Sequence, residues 1–260
     1  MAHILLDIDT RGVATLTLNR ADKHNAFDEH VIAELSGMLA DIAGNDAIRV
    51  LVLRAAGKSF CAGADADWMR RMASYDHAAN LVDAGALAEL LRRLDTLPQP
   101  TIACVQGAAL GGGAGLVCCC DMAVAATSAT FAFSEVRLGL IPGTISPYVV
   151  RAMGRQAARR YFLTAERFDA TTAHQLGLVS EVVEPAALDV SVERLTQALL
   201  DGGPQAVRAA KQLINDVADQ KIDAELMAMT SQRIAHIRAT PEAQEGLSAF
   251  LNKRPPAWKK

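Results

Sequence analysis

Apolar and polar positions follow two periods along this chain, and they divide it into a mixed first part and an all-helical last part. Val13-Ala-Thr-Leu-Thr-Leu18 alternates with period two and carries β-branched residues, which predicts a strand. Residues 4–8 alternate more weakly, and Arg11-Gly12 between the two runs predicts a hairpin turn. Asp28 then precedes Val31, Ile32, Leu35, Leu39 and Ile42, the spacing of a helix with a carboxylate at its N-cap. Residues 49–53 read as a buried strand. Residues 78–94 read as a long helix with Leu81, Leu87, Leu90 and Leu91 on its apolar stripe, stopped by Leu97-Pro-Gln-Pro100. Strands are expected at 101–105, 121–125, 129–133 and 177–183. A helix is expected at 147–162, with Arg151, Arg155, Arg159 and Arg160 as its basic face. Beyond Pro185 the pattern gives only helices, at 187–200, 204–218, 224–237 and 241–251. The class is α/β, with a boundary near residue 200: a core over 1–200 and a helical, interaction-forming region over 201–260.

Composition narrows the partners. The chain has 260 residues and a net charge of −3, so nothing in the balance draws nucleic acid or anionic lipid. No apolar run reaches the roughly 20 residues of a membrane span. The start, Met-Ala-His-Ile-Leu-Leu-Asp, lacks a basic signal-peptide region, so a cytoplasmic protein is expected. Five cysteines without regular spacing argue against a disulfide framework. Cys118, Cys119 and Cys120 are adjacent, so they point in different directions, and no histidine is close; buried thiols are expected and no metal site.

The stretch richest in chemistry is Gly107-Ala-Ala-Leu-Gly-Gly-Gly-Ala-Gly115, which follows the strand at 101–105. Its glycines allow either tight helix packing or a close approach of backbone N–H groups to an anionic atom at a helix N-terminus. Nearby patterns fail. Gly57-Lys-Ser lacks the earlier P-loop glycine, position 116 is Leu where a dinucleotide motif needs Gly, and there is no GxSxG. Two glycine turns, Gly63-Ala64 and Gly111-Gly112, each come after a buried strand. Two backbone donors meeting at one oxygen would form an oxyanion hole, and Glu135 would then serve as general acid or base. On its own, Glu135 also reads as a plain surface acid.

Phe60-Cys-Ala-Gly-Ala-Asp65, Gly107-Ala-Ala-Leu-Gly-Gly-Gly113 and Phe131-Ala-Phe-Ser-Glu-Val-Arg-Leu-Gly-Leu-Ile-Pro-Gly143 resemble the three signature blocks of the enoyl-CoA hydratase/isomerase, or crotonase, superfamily. Asn19-Arg, Asn25-Ala and the stretches 164–170 and 173–179 resemble its flanking blocks. The resemblance implies a spiral of ββα units with two roughly perpendicular sheets and a C-terminal helical region that makes trimers or hexamers. It implies a coenzyme A thioester substrate, with coenzyme A part of the substrate and no separate cofactor. By position, the oxyanion N–H groups would come from Ala64 and Gly112, with Gly111 beside them. Ala62, Ala64, Asp65 and Ala66 would line the pantetheine and adenine side, with Lys23 and Ala26 nearby. Phe250 and Lys253 would approach a neighbouring subunit's coenzyme A.

One departure matters. The family's two-glutamate hydratases carry an acid where this chain has Gly115, so Glu135 is left as the single acid. The small residue is expected to leave space for a bulkier acyl group. The segments around Tyr148 and Tyr161 look most like bacterial methylglutaconyl-CoA hydratases of leucine degradation. A hydratase (a lyase) of a short or branched enoyl-CoA is therefore expected, with Tyr148 among the substrate contacts. The alternatives are a Δ3,Δ2-enoyl-CoA isomerase using one glutamate, and a catalytically weak homologue that binds a partner. His24, Tyr148 and Arg151 are unranked candidates to pair with a substrate carboxylate.

Overall fold

The N-terminal hairpin forms as its pattern predicts: β1 (Ile4–Ile8) pairs antiparallel with β2 (Val13–Leu18). The computed structural model describes residues 2–259. Asp28 caps α1 (Glu29–Ala43) by accepting from the N–H groups of His30 and Val31, and the five predicted apolar positions of α1 are buried. Next come β3 (Val50–Ala55), α2 (Ala66–Met72), α3 (His77–Asp95) and β4 (Thr101–Val105). Two short passes follow: β5 (Ala109–Leu110), α4 (Gly112–Cys119) and β6 (Met122–Ala126), then β7 (Thr130–Ala132), α5 (Ser146–Thr164), β8 (Phe168–Asp169), α6 (Ala170–Gln175) and β9 (Glu181–Val183). Four helices end the chain: α7 (Leu188–Asp201), α8 (Pro204–Val217), α9 (Ala224–Arg238) and α10 (Pro241–Leu251).

Two sheets result. The larger runs β1-β2-β3-β4-β6-β9 and is parallel from β2 onward; the smaller is β5-β7-β8. The chain alternates between them, β4 to β5 and β6 to β7, which is the expected ββ-helix spiral. Both faces of β3, β4 and β6 are covered, so these strands read as apolar runs, while β2 keeps its alternation and β1 at the edge is buried only at Ile4. Leu51 and Leu53 of β3 pack into the main core with α1 and α3, while Val50 and Val52 face the other way, toward Leu188, Val192 and Leu200 of α7.

Three expectations need correction. Leu81 is 66% exposed, because the buried stripe of α3 is Leu90, Leu91 and Leu94, nearer the core. α5 is interrupted at Gly154, whose φ of 77° and ψ of 159° are not helical; periodicity alone gives no sign of a break. The late strand is confined to Glu181–Val183, because Leu178 and Val179 turn their N–H groups back to Ala173.

The tail is tied to the core by cations on carbonyls. The Arg49 guanidinium donates to Leu200 O (2.9 Å), Gly202 O (2.6 Å) and Trp258 O (3.3 Å). Arg208 reaches Ile48 O, and Lys211 reaches Gln99 O. In contrast, α8 and α9 bury no residue, although α8 is strongly amphipathic. None of the described helices is long and apolar enough to cross a membrane. Arg49→Met should leave three carbonyls short of donors, at about 1–3 kcal/mol for a buried group left unsatisfied. Hydrogen exchange should then rise at residues 200–205; unchanged protection there would show that α7 and the tail hold without Arg49.

Candidate active site

Two loops and one short turn close around a cavity of about 470 Å³. The first loop follows β3. Asn25 sets its course from below, donating to the carbonyls of Ala56 (2.7 Å) and Ser59 (2.8 Å). Ala64 forms a parallel bridge with Phe27: the Phe27 N–H donates to Gly63 O (2.9 Å) and the Asp65 N–H to Phe27 O (3.0 Å). In that pattern the middle residue directs its own N–H away from the bridge. The Ala64 N–H has no backbone acceptor among the described residues.

The second loop is the turn from β5 into α4. The Gly111 N–H donates to Ala132 O (2.8 Å), which anchors the turn to the small sheet. Gly112 is the first residue of α4, where N–H groups have no partner within the helix, and it has no other backbone acceptor among the described residues. The glycines are required by contact. A Cβ on Gly112 would lie 2.4 Å from Phe27 Cζ, and one on Gly113 would lie 2.5 Å from the Cys61 carbonyl oxygen. Ala64 and Gly112 border the same cavity. Two free donors and the positive end of α4 can together hold an oxygen on which negative charge develops.

The short turn is Glu135–Leu138, a 3₁₀ segment delivered by β7. The Glu135 carboxyl lies against Gly111: a Cβ there would be 2.9 Å from Oε1. Oε2 is buried without a hydrogen-bond partner. Burial pushes the acid's pKa above the ordinary carboxylate value, opposed only by its own backbone N–H. A carboxyl in this state can hold a proton and give it up at a nearby carbon.

Most of the remaining wall is apolar, with Trp68, Met69, Met72 and Leu87 on one side and Leu140, Ile141 and Ile145 on the other. Asp83 is the second carboxylate of the lining, and among the described lining residues there is no lysine, arginine or histidine.

Of the residues singled out by sequence, Ala62, Ala64, Gly111, Gly112 and Glu135 border this cavity. Others do not. Gly115 is buried in α4, and the space a side chain would take is filled by Ile145, with Cγ2 at 2.4 Å from a built Cβ; it offers no room to an acyl group. Asp65 is 4% exposed, caps α2 through the N–H groups of Asp67 and Trp68, and pairs with Arg20. With those contacts it is a framework acid, not a wall of the cleft. Ala66 is exposed at the start of α2, Ala26 is buried below the loop, and Lys23 pairs with Asp67 (3.2 Å). Tyr148 lies off the cavity, under the Arg151 guanidinium, and Arg151 is itself paired with Asp95. His24 contacts Ser59 Oγ (3.1 Å). Phe250 is 80% exposed on α10 and Lys253 follows that helix; within one chain neither borders the cavity.

The sequence reading missed Phe27, Trp68, Asp83 and Ile145. Asp83, Leu87 and Leu91 are four residues apart, so the stripe of α3 held a signal for one of them. The others are brought in only by tertiary contact. Cys61, Cys118 and Cys120 have thiols pushed up to about 12 by burial, and Cys119 is raised further, so these thiols stay protonated.

The chain matches the family model described as enoyl-CoA hydratase/isomerase over residues 9–260. It is 35% identical to the 2,3-dehydroadipyl-CoA hydratase of Escherichia coli, covering 100% of this chain and 99% of that protein. It is 32% identical to the mitochondrial methylglutaconyl-CoA hydratase of Homo sapiens, over 98% of this chain and 76% of that protein. The crystal structure of an enoyl-CoA hydratase from Shewanella pealeana superposes with a TM-score of 0.95 at 48% identity, covering 99% of this chain and 96% of that one.

The raised pKa of Glu135 carries a stability consequence. Between the ordinary carboxylate value and the raised one, the folded state holds a proton that the unfolded state has lost. Stability must therefore fall as pH rises through that window. Glu135→Gln should melt higher than the parent at neutral pH, and the difference should vanish below the ordinary carboxylate pKa. A gap of the same size at both pH values would mean that ionisation of Glu135 is not its source.

Proposed function

The chain belongs to the enoyl-CoA hydratase/isomerase family, and from that premise we propose that it adds water reversibly across the double bond of a short or branched enoyl-CoA thioester. The observation that carries this reading is the Glu135 carboxyl, whose buried Oε2 has no partner, on the same cavity as the Ala64 and Gly112 N–H groups that lack backbone acceptors. In the proposed reaction those two N–H groups hold the thioester oxygen as it gains enolate character. Each such donor is typically worth about 3–4 kcal/mol. Protonated Glu135 gives its proton to Cα while its other oxygen takes one from the water adding at Cβ. The carboxyl ends in the state in which it began, so one acid closes the cycle.

The methylglutaconyl group is the specific acyl candidate. It is supported by the sequence resemblance around Tyr148 and Tyr161 and by the relatedness to methylglutaconyl-CoA hydratases. Neither His24, Tyr148 nor Arg151 borders the cavity to receive its carboxylate. A second reading is favoured by Ile145, which fills the place beside Gly115 where a second, water-holding acid would stand. There the Glu135 carboxylate would take a proton from C2 and return it at C4, isomerising a 3-enoyl-CoA with no water involved.

Assembly belongs to the same proposal. The outer faces of α8 and α9 form an apolar groove of about 730 Å³, and Ile214, Met227 and Leu251 are exposed. Covering them with further copies would give the trimer or hexamer, and would carry Phe250 and Lys253 toward a neighbouring site.

The deciding experiment incubates the protein with 3-methylglutaconyl-CoA, crotonyl-CoA and a 3-enoyl-CoA and reads the products by mass. Gain of one water by either of the first two is expected. Conversion of the third with no mass change, and no hydration of the others, would transfer the assignment to isomerase; binding without turnover would leave a binding protein. Glu135→Gln should lower kcat by about two to four orders of magnitude, the range for a general acid or base. Near-normal turnover would remove Glu135 from the mechanism.

A further inference from the structure

The mechanism leaves one charged wall residue unused. Asp83 follows the stripe of α3 that runs outward from Leu91 through Leu87 into the cavity. Leu91 marks the inner end, since its Cδ2 lies 3.7 Å from a Cβ built on Gly115. At 1.5 Å per residue, Asp83 stands roughly 12 Å along the helix from that end. Gly112 precedes Gly115 by less than one turn of α4, so a chain that runs away from that end of the cavity reaches toward Asp83.

Its carboxyl is oriented but barely compensated. Oδ1 accepts from the Trp68 indole N–H (3.1 Å), and Asp83 makes no ion pair among the described residues. Trp68 is 3% exposed and packs on Phe27 with ring centroids 6.5 Å apart, so the donor is fixed. Arg71, the cation whose charge is felt at Asp83 among the described residues, donates to both oxygens of Glu29 at 2.7 Å. Met69, Met72 and Leu87 supply the surrounding surface. The rest of the carboxylate's solvation must come from water in the cavity.

We infer that Asp83, oriented by Trp68, sets the acyl-chain length this site accepts. A four-carbon chain ends short of Asp83 and leaves its water in place. A chain of eight or more carbons pushes methylenes against the carboxylate and strips that water, and burying a charge without a partner is costly. At about 470 Å³ the cavity falls within the usual range for small-molecule sites, and Asp83 is the charge that a long chain meets on its wall. The inference rests on the proposed reading that the acyl group of a CoA thioester occupies this cavity.

The test compares kcat/KM for 2-octenoyl-CoA and crotonyl-CoA in the full-length protein and in Asp83→Leu and Asp83→Asn. The octenoyl-to-crotonyl ratio should rise about tenfold or more in Asp83→Leu, the effect of relieving one or two kcal/mol of desolvation. Asp83→Asn keeps an oxygen for Trp68 and nearly the same volume, so its ratio should rise as well. A ratio unchanged in both variants overturns the inference, even with crotonyl-CoA hydrated normally. Calorimetric binding of octanoyl-CoA and butyryl-CoA reads the same preference without turnover. If the variants shift that binding ratio while no ester reacts, the length filter stands and the proposed reaction falls. Failure of both esters to bind removes both.

Discussion

The close approach of the α4 N-terminus to the loop after β3 is the constraint on which the site depends. Phe27 and the Cys61 carbonyl occupy the places where side chains on Gly112 and Gly113 would stand. Only glycine lets the helix come that near. The same contact leaves the N–H of Gly112, at the helix end, and that of Ala64, turned away from its bridge, on one cavity. Each amide is unpaired for a separate reason, one because a helix begins there and the other because a bridge points outward. Their convergence needs both sheets in place, since Gly111 is anchored to the smaller one through Ala132 and Ala64 follows a strand of the larger.

Around that contact the charged residues sort by whether they have partners. Arg20 joins Asp28 and Asp65, the caps of α1 and α2, and so fixes the two helices that flank the loop. The Asp65 side chain is thereby committed to the framework. Glu135 has no such partner, and burial holds its proton more tightly than usual. Asp65 is tied into the framework by its partners, whereas Glu135 keeps an unpartnered oxygen on the cavity; this difference separates two acids that look equally promising in their sequence motifs. Asp83 is intermediate, with one hydrogen bond and no cation.

The position of Gly115 shows how a missing side chain misleads. A glycine in place of an acid suggests room, but close packing fills room from elsewhere, here with Ile145 from the start of the α5 segment. The cavity thus has one acid, Glu135, on the wall it shares with the Ala64 and Gly112 amides, and a largely apolar remainder. Its selectivity has to come from that remainder and from what interrupts it.

What the sequence determined by itself was local. The caps at Asp28 and the period of α1, the parallel strands read as apolar runs, and the four closing helices are encoded by residues near one another in the chain, where hydrogen-bond geometry and side-chain period suffice. The signature blocks named Ala64, Gly112 and Glu135, because glycine turns after strands are legible as backbone donors. The tertiary structure alone decided that Gly115 is filled, that Asp65 is a cap, that Tyr148 lies off the cavity, and that Trp68 and Asp83 meet inside it. These outcomes depend on which side chain reaches a given space first, and that is set by contacts between segments far apart in sequence, which neither period nor motif records.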